Sequence, residues 1–158
     1  MANTQSMCTS FLGELMTATH NFGVSPVRAA TTADTFKAAL YLASATLNAS
    51  TTAYSATGEV SGAGYSAGGV TVTNATPPAS TNSSATAGVG YWTPSASFVY
   101  TSVTLTTSFD TVLVYNSTQG NKAVSVHTFG SQTITAGTFT LTMPSNTTTT
   151  ALIRLATT

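Results

Sequence analysis

Residues 98–128 read FVYTSVTLTTSFDTVLVYNSTQGNKAVSVHT, and this stretch decides the fold. Phe98 and Tyr100 share one parity, as residues on one face of a strand do, whereas Val103 and Leu105 have the opposite parity. A bulge or bend near Thr101–Ser102 reconciles the two sets on a single face. Thr111–Tyr115 is a continuous apolar run, the pattern of a strand covered on both faces. Gln119-Gly120-Asn121 then supplies a turn, after which Val124, Val126 and Thr128 alternate again.

The β signal extends outward from there. Phe139, Leu141 and Met143 alternate after a turn expected at Ala136-Gly137, Pro144 and the tract 146–150 close that strand, and Leu152–Leu155 offers a last short one. Toward the N-terminus, Phe36–Leu42 is mostly apolar and reads as a buried strand, although Ala and Leu also suit a helix. Val70–Thr73 is a further short strand. Residues 74–90, NATPPASTNSSATAGVG, have the composition of a surface loop. About six to eight short strands at this spacing predict a mainly β chain, an antiparallel β-sandwich.

Only residues 4–22 show a helical period. Met7, Cys8, Phe11, Leu12, Leu15, Met16 and Thr19 recur at helical spacing, with Thr4 or Ser6 as cap and Gly23 and Pro26 as stop. The expected organisation is an N-terminal helix or docking arm over 1–27 and a β-sandwich domain over 28–158, with 74–90 as its variable loop. Such a helix either packs on its own domain or docks on a neighbour, and Phe11, Leu12, Leu15 and nearby Phe22 are the candidate anchoring residues.

Composition narrows the function. Of 158 residues only 8 are charged, four of each sign, and serine with threonine makes up roughly a third of the chain. Catalytic sites set titratable groups against one another, yet no two carboxylates here are closer than 20 positions. The expectation is that the chain is not an enzyme. A net charge of +0 argues against a nucleic-acid binder and removes like-charge repulsion between copies. No apolar run approaches the length of a membrane span, and the N-terminus lacks the pattern of a secretory signal, so no membrane partner is expected.

The formal motifs are weak. Gly62-Ala-Gly64-Tyr-Ser-Ala67 matches a dinucleotide fingerprint, but strand-like VTVT follows where a helix is needed, so the glycines read as loop residues and no cofactor is expected. His20, His127 and Cys8 are far apart with no metal-ligand spacing, and no metal is expected. A Ser–His–Asp triad needs only convergence in space, so 19 serines carry no signal, and no G-x-S-x-G elbow occurs. Tyr91 and Trp92, with Tyr54 and Tyr65, could offer a glycan platform, although aromatics more often fill a core. Glu59, isolated in a neutral loop, is a candidate to cap backbone amides or to meet Lys37 or Arg154.

Three segments carry a resemblance when taken as a set: MANTQSMCTSFLGELM, DTFKAALYLASATLNASTTAYSATGEVSGAGYSAGG and KAVSVHTFGSQTITAGTFTLTMP. The set resembles small virion structural proteins of tailed bacteriophages, over roughly residues 1–69 and 91–155. The matching residues are Phe36, Lys37, Leu40, Tyr41, Glu59, Val60, Ser61, Gly62, Gly64, Tyr65, Gly68 and Gly69, then Phe129, Gly130, Gly137, Phe139 and Leu141. The resemblance implies a capsid decoration (cement) protein, a homotrimer on the major capsid protein at the virion surface, made in the host cytoplasm and without catalytic residues. A head- or tail-fibre tip that recognises host glycans through Tyr91 and Trp92 is the alternative, and a head–tail connector component is another.

Overall fold

The computed structural model describes residues 3–8, 11, 15, 19–22, 33–81 and 88–156. Eight strands follow in chain order: β1 (Ser6–Met7), β2 (Phe36–Leu42), β3 (Val70–Thr71), β4 (Ala79–Ser80), β5 (Val89–Trp92), β6 (Phe98–Asn116), β7 (Lys122–Leu141) and β8 (Ile153–Ala156). They pair antiparallel in two sheets, one in the order β1-β7-β6-β2-β3 and one in the order β4-β5-β8.

The β6–β7 hairpin dominates, with strands of 19 and 20 residues. Its turn falls at the expected place, where Gly120 (φ 67°) and Asn121 (φ 60°) take left-handed conformations that these residue types tolerate. Residues 111–116 are buried throughout, as the unbroken apolar run requires. One face of that run meets Ala38 and Leu40 of β2 and looks toward the second sheet. The other is covered by the excursion between β2 and β3, where Tyr54 stacks on Tyr115 with ring centroids 4.7 Å apart.

The parity change in β6 is a bulge. Tyr100 pairs with Phe139 but Val103 pairs with Gly137, so β6 holds one residue more than β7 between them, and Ser102 absorbs it at φ 53°. Phe98, Tyr100, Val103 and Leu105 consequently all face inward.

Three expectations are corrected. Ala136-Gly137 is not a turn: β7 runs on through it, and Ala136 (φ 47°) is the extra residue of a second bulge, between Gly137 opposite Val103 and Ile134 opposite Leu105. Residues 74–90 are not wholly loop, since β4 and the start of β5 lie within them; residues 82–87 are outside the described ones. The helix does not run over 4–22 as expected: residues 4–8 are extended, and of the described residues in that span only Phe11 and Leu15 are helical. Ser6 and Met7 pair with Val126 and Ser125, and the Cys8 amide donates to the Val124 carbonyl at 3.1 Å. The amide of Thr4, an expected cap, donates to the Leu47 carbonyl at 2.9 Å. An open β7 edge offers these residues backbone partners, and that tertiary offer overrides a weak helical period. Residues 9–10, 12–14 and 16–18 of the expected helix lie outside the described ones.

The two sheets meet through aromatic rings. Phe22 stacks on Phe36 of β2 at 4.4 Å and meets Trp92 of β5 edge-on at 4.7 Å, while Phe11 meets His20 and Phe22 at 4.8 and 5.8 Å.

Candidate functional site

Glu59 accepts three hydrogen bonds. One carboxylate oxygen accepts from the Tyr65 hydroxyl and the Gly68 amide, both at 2.7 Å, and the other accepts from the Tyr54 hydroxyl at 2.6 Å. The expected amide cap is therefore present. Arg154, one of the expected charge partners, instead donates to the Thr148 carbonyl at 2.7 Å.

Three more tyrosines complete the ring. The Tyr115 hydroxyl donates to the Gly68 carbonyl, and that of Tyr100 donates to the Ala38 carbonyl, each at 2.8 Å; the Tyr41 hydroxyl donates to the Ser55 carbonyl. Burial raises all five phenols above their ordinary value and the Glu59 charge adds to it, taking Tyr41 and Tyr115 up to about 12. They stay protonated at any physiological pH and act as donors, Tyr54 and Tyr65 to the Glu59 carboxylate and the other three to backbone carbonyls.

The clamp seats a glycine loop on the sheet. A Cβ at Gly69 (φ +72°) would lie 1.8 Å from the Ala38 carbonyl oxygen, and one at Gly62 would lie 1.9 Å from that of Thr104. Backbone contacts this close exclude every residue with a side chain. That close approach is the physical content of the glycine pattern.

Asp34 forms a second clamp, buried beside the hairpin turn. Its Oδ2 accepts from the Asn21 amide at 2.9 Å and the Asn116 Nδ2 at 2.8 Å, and its Oδ1 accepts from the Gln119 Nε2 at 3.0 Å. Asn116 Nδ2 also lies 3.1 Å from His20 Nδ1, and Asn116 Oδ1 accepts from the Thr118 and Gln119 amides. Asp110 does similar work: it accepts from Asn3 Nδ2 at 2.9 Å, while Asn3 Oδ1 accepts from the Leu47 amide at 2.9 Å.

A serine and a histidine do converge. Ser125 Oγ lies 2.8 Å from His127 Nε2 in a cleft of about 260 Å³ between β1, β7 and the segment leading into β8, whose rim includes Arg154. Burial lowers the His127 imidazole from 6.5 to about 4. It is thus neutral and weakly basic at neutral pH, and Ser125 is itself buried. The pair joins two positions of one strand face. Among the described residues no group of three or more His, Cys, Asp or Glu could hold a metal ion.

The expected docking and glycan residues are placed differently from one another. Phe11 (1% exposed) and Phe22 (8%) belong to the chain's own core, and Leu15 packs against it; Leu12 lies outside the described residues. Trp92 (2% exposed) is buried too, with its Nε1 donating to Asn74 Oδ1 at 2.9 Å and the Thr76 carbonyl at 3.2 Å. It pins residues 74–76 to the core and presents no open ring face to a sugar; Tyr91 is half-buried beside it. Sequence reading missed the Asp34–Asn116 clamp, which is built from residues 82 positions apart. The Ser125/His127 pairing was legible as an i, i+2 repeat on one strand.

Compared with protein families, curated proteins and solved structures, the chain shows no significant similarity to any of them.

Proposed function

We propose that this chain is a structural protein of a bacteriophage virion, a capsid decoration protein whose two sheets form a sandwich that binds and stabilises the head shell. The observation that supports it most is the use of the carboxylates. Asp34, Glu59 and Asp110 are each held by amide or hydroxyl donors that fasten loops to the main sheet. The distal hairpin presents serines, threonines and amides to water instead of charge. A rigid, neutral domain of this kind suits many repeated weak contacts, which stabilise a shell by mass action. The sequence resemblance to small virion proteins points the same way, and it carries the expectation of trimers on the shell.

The test is reconstitution. Purified protein is added to head shells that lack it, and bound copies per shell and the shell's melting temperature are measured. Saturable binding at a fixed copy number with a raised melting temperature is expected. Absence of binding, together with absence of the chain from purified particles by mass spectrometry, overturns the reading.

A further inference from the structure

We propose that the cleft between β1, β7 and the segment leading into β8 binds a small hydroxycarboxylate, with the Arg154 guanidinium taking its carboxylate and the Ser125–His127 pair its hydroxyls. The cleft lies where the two sheets end. Among the described strands β1 is outermost in one sheet and β8 in the other, and residues 5–7 and 151–154 line the gap together with Ser125 and His127. Facing sheets ordinarily interdigitate apolar side chains. Here about 260 Å³ stays open and polar groups gather around it.

Three of those groups have bonding capacity that the described residues leave unmet. His127 Nε2 lies 2.8 Å from Ser125 Oγ, and the ring's Nδ1 has no partner among the described residues. Gln5 accepts through Oε1 from Thr128 Oγ1 at 3.5 Å, and its amide nitrogen donates to none of them. Arg154 Nε donates to the Thr148 carbonyl at 2.7 Å, which holds the guanidinium by one edge. Its two terminal nitrogens, the fork that grips an oxyanion bidentately, meet no carboxylate among the described residues.

Charge sets the first half of the ligand. Arg154 is the one formal charge among the described lining residues, because burial keeps the His127 ring neutral at neutral pH, so the complement is a monoanion. The imidazole sets the second half. If Nε2 accepts the Ser125 proton, Nδ1 carries a hydrogen and donates; if Nε2 donates, Nδ1 accepts. A ligand hydroxyl answers either tautomer, whereas a bare carboxylate answers only the first. Met7, Leu152 and Ile153 offer apolar surface to the carbon skeleton. The volume lies just under the roughly 300 Å³ at which pockets for drug-sized molecules begin, so the ligand is one sugar-acid unit or smaller. The ring is too weak a base at neutral pH to activate Ser125, so the cleft binds without turnover.

The chain has only two histidines, which makes the test direct. The probe is D-glucuronate, titrated at constant ionic strength into nitrogen-15-labelled protein while the imidazole nitrogens are followed by NMR. His20, buried against Phe11 and Phe36, is the internal reference. Glucuronate should move the His127 signals saturably, with a Kd on the order of millimolar, and leave those of His20 in place. D-glucose has a similar ring without the carboxylate, and inorganic phosphate has the charge without the carbon skeleton. Each should bind about ten-fold more weakly or worse. Arg154→Gln removes an exposed side chain's charge and should weaken glucuronate by about ten-fold or more. Equal binding of glucose or of phosphate overturns the proposal. So does a His127 signal that does not saturate, or one that Arg154→Gln leaves unchanged. None of these results bears on shell binding, so the two proposals fail separately.

Discussion

The two halves of one hairpin behave as different materials. Near the turn, Thr111–Asn116 are buried on both faces, and the glycine excursion and the second sheet close over them. Far from the turn, Phe98–Phe109 bury one face only, and β7 from Gly130 is largely exposed. The register records the same division: one shift falls within the inner half, between Val114 and Tyr115, and four fall at or beyond Thr111. Covering both faces fixes register, because a slip would move side chains into occupied space. Where one face is open, bulges are tolerated and twist the edge.

The sharpest way to break that comparison is to truncate matched residues in the two halves. Leu113 is fully buried, and Leu113→Ala should cost about 3–5 kcal/mol, lost transfer energy plus an uncollapsed cavity. Val99, 43% exposed on the outer half, should change stability by no more than about 0.5 kcal/mol on truncation to Ala. Urea midpoints at constant slope measure both. Equal losses would mean the outer half is covered by something beyond the described residues.

A second test concerns what covers the inner half. Gly69→Ala must place a methyl group against the Ala38 carbonyl at positive φ, so the loop has to lift. An expected loss of about 2–4 kcal/mol combines the backbone and overpacking costs. Quenching of exposed tyrosine fluorescence should increase with it if the loop seals the tyrosine cluster. Unchanged stability would show that the close approach is not required.

Third, Glu59→Gln keeps the shape but replaces a carboxylate that accepts three bonds by a neutral amide. The loss should be about 1–3 kcal/mol, because Tyr54, Tyr65 and the Gly68 amide cannot all be satisfied by one carbonyl. Glu59→Ala should exceed it.

How much of this was legible follows the same division. The inner half announces itself, since TVLVY admits few alternatives to a doubly covered strand, and Gln119-Gly120-Asn121 marks the turn. The Ser102 bulge was legible from parity alone. The Ala136 bulge was not: Ala-Gly between alternating runs is the same signal for a turn and for an extra residue in a continuing strand. The N-terminal segment misled for a related reason. Met7, Cys8 and Phe11 fit a helical face, yet what places Met7 is an edge of β7 more than 100 positions away, which no local window contains. Glu59 could be marked as isolated from sequence, but its tyrosines come from five places in the chain, and only the fold gathers them.

A further modest effect is expected at the seam where inner hairpin and second sheet meet. His127 holds its ring in the cleft with Ser125, and burial lowers its pKa to about 4 from an ordinary 6.5. Between those values the unfolded chain binds a proton that the folded chain refuses, so stability rises with pH across the window and falls on acidification. Full linkage would be about 3 kcal/mol; the ring is half-buried, and Arg154 at the cleft rim is exposed, so screening by water reduces this to roughly 1–2 kcal/mol. Urea unfolding at pH 7 and pH 5 should show this loss in the native protein. In His127→Gln, which keeps a polar group toward Ser125 but does not titrate, the difference between the two pH values should shrink. If both proteins lose the same stability on acidification, the imidazole takes up its proton without penalty, and the cleft is wetter than its packing implies.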